Sequence, residues 1–243
     1  MNRLEHLEEF DRILKNYSLP EEVTSLLKGM KLVLLVGPSA VGRNTIIDKL
    51  LSTGDYVFII SDTTRKPRVN DGVEEKNGEI YWFRNEEDFL RDLKNGEFLE
   101  AEIIHSQQVS GISIRELRKA SEAGAIAITD VDIEGFTNIM TRKPDTVGIY
   151  VLPPNFAEWL KRIQGRVELP HEEVINRLKT GLKIFEKASK SENSHFVVND
   201  NLEKTIHQIN ILANGGESDI ADAKQLISNL LIDTKRYLEQ DDA

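Results

Sequence analysis

An α/β fold with a parallel sheet flanked by helices is predicted by three observations. Short apolar runs alternate along the chain with stretches of helical periodicity, the pattern of parallel strands joined by crossover helices. The runs at 32–36 and 125–129 are almost wholly apolar, as strands buried on both faces are. The first run ends abruptly on a glycine-bearing turn that opens a helix, LVLLVGPSAVGRNT over residues 32–45. In such folds ligands lie beyond the carboxyl ends of the strands.

The elements follow in order. Leu4, Leu7, Phe10 and Leu14 have helical spacing within residues 2–15. Ser18 with Glu21 reads as a capping box for a second helix to about residue 28. Strand 32–36, the turn and helix 44–51 come next, then strand 56–60, an irregular polar segment and strand 80–83. Asn85 caps a helix to Lys94, with Asp88 at its third position and Gly96 as its stop. Strand 98–104 precedes a helix that Ser113 and Glu116 open as a capping box and that ends near Gly124. Strand 125–129 runs into Asp130 and Asp132, and strand 146–152 is closed by Pro153 and Pro154. Helices at 156–163 and 172–188, strand 196–198 and helix 202–212 lead to a break at Gly215 and Gly216 and a final helix at 220–238. The terminal helices offer apolar stripes either to the body of the chain or to a second copy, which would give a homodimer.

Composition narrows the function. The 243 residues are 40% hydrophobic and 30% charged, which is globular and neither disordered nor fibrous. The absence of cysteine excludes disulfides, thiolate metal sites and cysteine nucleophiles. A net charge of −10 argues against a broad nucleic-acid or membrane surface, so the expected partners are small molecules, with no nucleic acid and no membrane. No apolar signal-type core or long apolar run is present, and a cytoplasmic location is expected.

The chemistry begins in the turn. In the pattern G-x-x-x-x-G-K-[S/T], glycines let successive backbone N–H groups turn inward on a phosphate, and the positive end of the next helix adds to the attraction. Gly37, Pro38, Ser39, Ala40, Val41, Gly42, Arg43, Asn44 and Thr45 therefore form the expected nucleotide-binding stretch. Two positions depart from the pattern. Arg43 replaces the lysine with a bulkier planar cation, and Asn44 replaces the hydroxyl that ligates Mg²⁺. Thr45 supplies a hydroxyl one position late, about 100° around the helix. Asp130, at the end of a strand, is placed to orient Mg²⁺ through water, with Asn44 as the other candidate ligand.

More motifs come in register: SDTTRKPR at 61–68, Tyr81 with Phe83, GEFLE at 96–100, Asp130 and Asp132 with Gly135, LPP at 152–154, QGR at 164–166, INRL at 175–178 and VVND at 197–200. With the turn, they resemble the guanylate kinase family over roughly residues 31–212. The resemblance implies a P-loop NTPase-type domain over 31–214, containing a small mixed nucleoside-monophosphate-binding lobe at about 61–112 and a helical lid at about 155–180. Amphipathic helices at 1–30 and 215–243 lie outside it. It implies transfer of the ATP γ-phosphoryl group to GMP with Mg²⁺. By the same resemblance Arg65, Arg68 and Tyr81 hold the acceptor phosphate, while Ser61, Glu100 and Asp132 read the base. Arg43 and the lid residues Arg162, Arg166 and Arg177 form the catalytic set. The residue types suit these roles, since forked guanidinium groups grip phosphate and carboxylates accept from the guanine N1–H and amino group.

The acceptor side also departs from the family. Ser110-Gly111-Ile112 stands in place of Y-G-[S/T], with one extra residue between Glu100 and Gly111, so a phosphate-binding tyrosine and a base-reading hydroxyl are absent. Ser113 is the candidate replacement for that hydroxyl. The segment before Tyr81 is lengthened. Arginine at the lysine position also occurs in guanylate kinase-like modules of scaffold proteins. Two alternatives therefore stand beside a GMP kinase: a binding module that has lost transfer, and a kinase with a changed acceptor base.

Overall fold

The computed structural model describes residues 3–70, 72–79, 81–165, 169–217 and 220–241. Arg166 lies outside the described residues. The chain opens with α1 (Leu7–Lys15) and α2 (Glu21–Leu27), followed by β1 (Leu32–Val36), α3 (Arg43–Leu51) and β2 (Tyr56–Phe58). Next come β3 (Ser61–Thr63), β4 (Val69–Asn70), β5 (Val73–Glu74), β6 (Tyr81–Phe83) and α4 (Glu86–Lys94). Then follow β7 (Phe98–Ile104), β8 (Gln108–Ser113), α5 (Ile114–Glu122), β9 (Ile126–Asp130), α6 (Ile133–Arg142) and β10 (Val147–Leu152). The chain closes with α7 (Phe156–Gln164), α8 (His171–Lys190), β11 (His195–Val198), α9 (Leu202–Ala213) and α10 (Ile220–Asp241).

Several boundaries differ from those the sequence predicts, each for a local reason. Helix α2 starts at Glu21 with Pro20 at its N-cap, and proline has no side-chain acceptor with which to cap it. Ser18 and Glu21 therefore form no capping box. Ser113 does sit at the N-cap of α5, but its hydroxyl makes no capping bond. The carboxylate of Glu116 is drawn away to Trp82 Nε1 at 3.1 Å and the Ile60 N–H at 3.4 Å. The run 56–60 is cut short, with β2 and β3 pairing in different sheets. The polar segment before Tyr81 contains the hairpin β4–β5, and β8 and α6 lie where the sequence shows no assigned element. Asn85 caps α4 as predicted, its side chain accepting from the Asp88 N–H at 2.7 Å.

The chain forms two compact units. The first comprises Met1–Leu32, Tyr56–Thr129 and Thr137–Thr146. In it β2 runs parallel to β9, and a mixed sheet is ordered β6-β3-β8-β7. Strand β3 is parallel to β6 and antiparallel to β8, and β8 is antiparallel to β7. Helix α1 packs on this sheet through Phe10, which meets Phe89 edge-on at 6.0 Å, while Phe89 stacks on Phe98 at 4.3 Å.

The second unit comprises Val33–Asp55, Asp130–Phe136 and Val147–Ala243. Parallel strands in the order β11-β10-β1 form its sheet, with Val36 opposite Tyr150 and Leu152 opposite Val198. Every residue of β1 is buried, which accounts for its unbroken apolar run. Helix α10 packs against α8, β11 and α7 and buries Ile227, Leu230 and Thr234. Phe10 and Leu27 of the N-terminal helices and Ile227 and Leu230 of α10 are buried within the chain's own units, whereas Leu26 and Ile232 remain exposed. Among the described residues no helix is long and apolar enough to cross a membrane.

Candidate active site

In the second unit the phosphate loop is shaped by close approaches that admit only glycine. A Cβ at Gly37 would stand 2.5 Å from the Val151 carbonyl oxygen. Gly42 has φ +100°, and a Cβ there would lie 2.5 Å from Asn199 Nδ2. That amide donates to the Val41 carbonyl at 2.8 Å, and Thr205 Oγ1 donates to its Oδ1 at 3.2 Å. Trp159 Nε1 donates to the Ser39 carbonyl at 2.9 Å. The loop is therefore pinned through its carbonyls. Helix α3 begins at Arg43 with no side chain capping it, so its first N–H groups and its dipole face the loop's concavity.

A cavity of about 460 Å³ lies against this loop, lined by Gly42, Thr45, Arg162 and Asn199 among others. Arg162 donates to the Asn199 carbonyl at 2.9 Å from α7. Thr45 faces this cavity, so its late hydroxyl is on the donor side. Arg177 on α8 donates to Glu173 at 2.8 Å, and one turn further Gly181 comes so close to Trp159 and Pro38 that a Cβ would clash. Arg43 reaches across to the end of β9, with Nη1 3.2 Å from Asp130 Oδ2 and 3.1 Å from the Val131 carbonyl. Asp132 accepts from the Gly135 N–H at 2.8 Å and so braces the start of α6.

In the first unit Arg65 is the centre. Its guanidinium lies 4.8 Å from the Tyr81 ring and 5.3 Å from the Phe83 ring. Glu75 grips it with both oxygens, at 2.5 and 3.0 Å, and also accepts from the Arg68 N–H at 2.9 Å. The hydrogen bond from Arg65, reinforced by that of the Arg68 backbone, holds the Glu75 carboxyl down at about 2. Behind this cluster the buried Asp62 bonds Arg84 at 2.6 Å and Arg115 at 2.7 Å. Burial pushes its carboxyl up against the pull of both arginines. Ser61 begins β3 beside Tyr81, and the Arg68 side chain is exposed. Glu100 is buried on β7 opposite Ile112, whereas Ser113 pairs with Phe98. Ile112, not Ser113, therefore occupies the ladder position paired with Glu100. Ser110 bonds Thr63 Oγ1 at 2.8 Å.

The two phosphate-type clusters match a known pattern. The family model described as guanylate kinase matches residues 29–214. The chain belongs to the guanylate kinase family. It is similar to the guanylate kinase of Corynebacterium diphtheriae, at 34% identity over 74% of this chain and 92% of that protein. It is also similar to the guanylate kinase of Sulfurimonas denitrificans, at 30% identity over 78% and 89% of the two chains. A crystal structure of guanylate kinase from Anaplasma phagocytophilum superposes with a TM-score of 0.53 at 25% identity, covering 75% of this chain and 84% of that one. As a member of the guanylate kinase family the chain is a guanylate kinase-like phosphotransferase, and nothing in these comparisons favours a non-catalytic module.

Two residues around this guanylate kinase-like site, Glu75 and Trp159, escape sequence reasoning, and a third, Asn199, is marked only by its motif. Glu75 lies in the lengthened segment, where a single acid among VEEKNGE carries no periodic signal. Asn199 shapes the phosphate loop from 157 positions beyond Gly42, although its VVND motif does mark it. Trp159, whose indole holds the loop, reads from sequence as an ordinary apolar position on a helix.

Proposed function

We propose that the chain moves the γ-phosphoryl group of ATP to GMP, giving ADP and GDP. The observation that carries this reading is the prearranged Arg65. Glu75 and the Lys66 carbonyl take three of its N–H donors, and Tyr81 and Phe83 flank it, so Nε and the remaining Nη2 hydrogen are aligned for a phosphate dianion. Arg68 and Tyr81 complete the acceptor-phosphate site, and Ser61, Glu100 and Asp132 bind the base.

On the donor side the N–H groups of residues 37–45 bind the β- and γ-phosphates. Arg43 exchanges the Asp130 carboxylate for phosphate oxygens as the triphosphate arrives. An acceptor phosphate oxygen attacks the γ-phosphorus, the bond to the β-bridging oxygen breaks, and ADP leaves. Arg162, Arg166 and Arg177 stabilise the charge spread over the moving group. The hard oxygen donors of Asp130 and of the Asn44 amide suit Mg²⁺, which keeps several waters and takes its other ligands from phosphate. When bound, Mg²⁺ neutralises triphosphate charge. The net charge of −10 supports small nucleotides, not nucleic acid or membrane, as partners.

One observation favours a second reading. Ile112 pairs with Glu100 across the ladder, where an apolar side chain offers no hydrogen bond to the base and so weakens the preference for guanine. The deciding measurement is ADP formation from Mg·ATP with GMP, AMP, CMP or UMP, beside an Arg43→Lys, Asn44→Ser variant. Transfer to GMP is expected. Transfer to another monophosphate would move the substrate assignment, and no turnover by either protein would overturn it.

A further inference from the structure

We propose that the N-terminal segment is a strut for strand β7, and that Tyr17 is a positioning residue acting through Glu100. This rests on the reading of Glu100 as a base-binding residue. The segment lies outside the family match, which begins at residue 29. It nevertheless holds β7 at both ends. Tyr17 Oη donates to the Phe98 carbonyl at 2.5 Å, and the Leu4 N–H donates to the Ser106 carbonyl in the β7–β8 turn at 3.1 Å. Pro20 presses on Gly96 just before the strand, where a Cβ would meet its ring at 2.5 Å.

The bonded carbonyl sits where the ladder is irregular. Phe98 pairs with Ser113 and Glu100 with Ile112, so Leu99 lies outside the register. A bulge of this kind bends a strand and re-aims the side chains beside it, so a group that fixes the bulge also fixes the direction of Glu100. Tyr17 is well suited to that task. Its ring packs on the Phe10, Phe89 and Phe98 cluster, and the Arg142 guanidinium lies 5.3 Å above it. Burial pushes its phenol up to about 12, so it remains a donor throughout the working range. The far end of β7 needs support of its own, because His105 and Ser106 both hold positive φ, at 51° and 58°, in the lengthened turn. The Leu4 bond supplies that support.

The test is Tyr17→Phe, which keeps the ring and its packing and removes one hydrogen bond. Amide exchange across residues 98–101 is expected to accelerate, and KM for GMP to rise about fivefold with KM for ATP and kcat unchanged, the effect of one ordinary hydrogen bond. In a Glu100→Gln background the same change should add nothing further to KM for GMP, whereas a general packing role would add. Unchanged exchange in Tyr17→Phe overturns the strut whatever the activity. Faster exchange with unchanged KM for GMP, or with equal rises in both KM values, overturns the link to Glu100. If the unaltered protein neither binds nor phosphorylates GMP, the base-site reading fails and the link to Glu100 falls with it, while the exchange result alone decides the strut.

Discussion

On the proposed assignment, the donor loop and the acceptor lobe hold phosphate by opposite means. In the loop the groups facing the anion are backbone N–H groups, and the surrounding side chains act on the backbone: Asn199 and Trp159 hold its carbonyls, and Gly37 and Gly42 give the room. In the acceptor lobe the groups proposed to meet the phosphate are side chains, and one carboxylate, Glu75, bonds both the Arg65 guanidinium and the Arg68 N–H. A backbone cradle depends on its glycines more than on side chains such as those of Arg43 and Asn44. A side-chain cluster has no such reserve.

The sharpest way to break this contrast is Arg65→Ala. It removes the charged donor and leaves Glu75 without its forked partner, so affinity for GMP should fall roughly 10- to 100-fold, the worth of hydrogen bonds to charged groups. Binding of ATP should not change, and calorimetry with each nucleotide separates the two. Gly42→Ala is the counterpart on the donor side. Left-handed backbone costs a non-glycine residue about 1–2 kcal/mol, and the new methyl group meets Asn199, so ATP affinity should drop about tenfold or more while GMP affinity holds. Equal losses of both nucleotides in either variant would mean that the two halves are not separable.

Glu75→Gln probes the carboxylate itself. The amide keeps the shape but loses the charge, so a charge-assisted bond becomes a neutral one, and KM for the acceptor should rise about fivefold, a difference of about 1 kcal/mol. Acid gives the same information without mutation. The Glu75 carboxyl lies at about 2 in the folded chain, below its ordinary value of 4.5. Its contribution to stability is therefore complete above 4.5 and is lost as pH falls from there towards 2. Acid titration of unfolding should show that loss in the native protein and a smaller one in Glu75→Gln.

The same contrast explains what the sequence discloses. The backbone cradle is legible because glycine spacing after an apolar run has few other meanings, and β1 and α3 fall within a residue of their predicted bounds. Asn85 is legible because a cap acts over three residues. Strand β8 is hidden because its short run QVSGIS alternates weakly and carries two serines and a glycine. The two predicted capping boxes fail where a stronger local or distant partner intervenes, Pro20 at α2 and Trp82 at Glu116. Glu75 escapes for the most general reason. Its partner is ten positions away in a segment without periodicity, so only the folded hairpin shows which of several acids meets Arg65.

The smallest expected effect bears on the acceptor base. Ile112 is 1% exposed and stands opposite Glu100, so Ile112→Ser trades buried apolar volume for a hydroxyl beside the carboxylate proposed to read the base. Two consequences oppose each other. Loss of the buried side chain should lower the melting temperature, in line with the roughly 2–5 kcal/mol typical of large-to-small core changes. The hydroxyl should meanwhile add one neutral hydrogen bond to a guanine, whose net worth of about 0.5–1.5 kcal/mol corresponds to a preference for GMP over AMP increased roughly threefold or more. Stability and selectivity would then move in opposite directions, which no general loosening of the lobe can produce. If the preference is unchanged while the melting temperature falls, Ile112 belongs to the core and not to the base site.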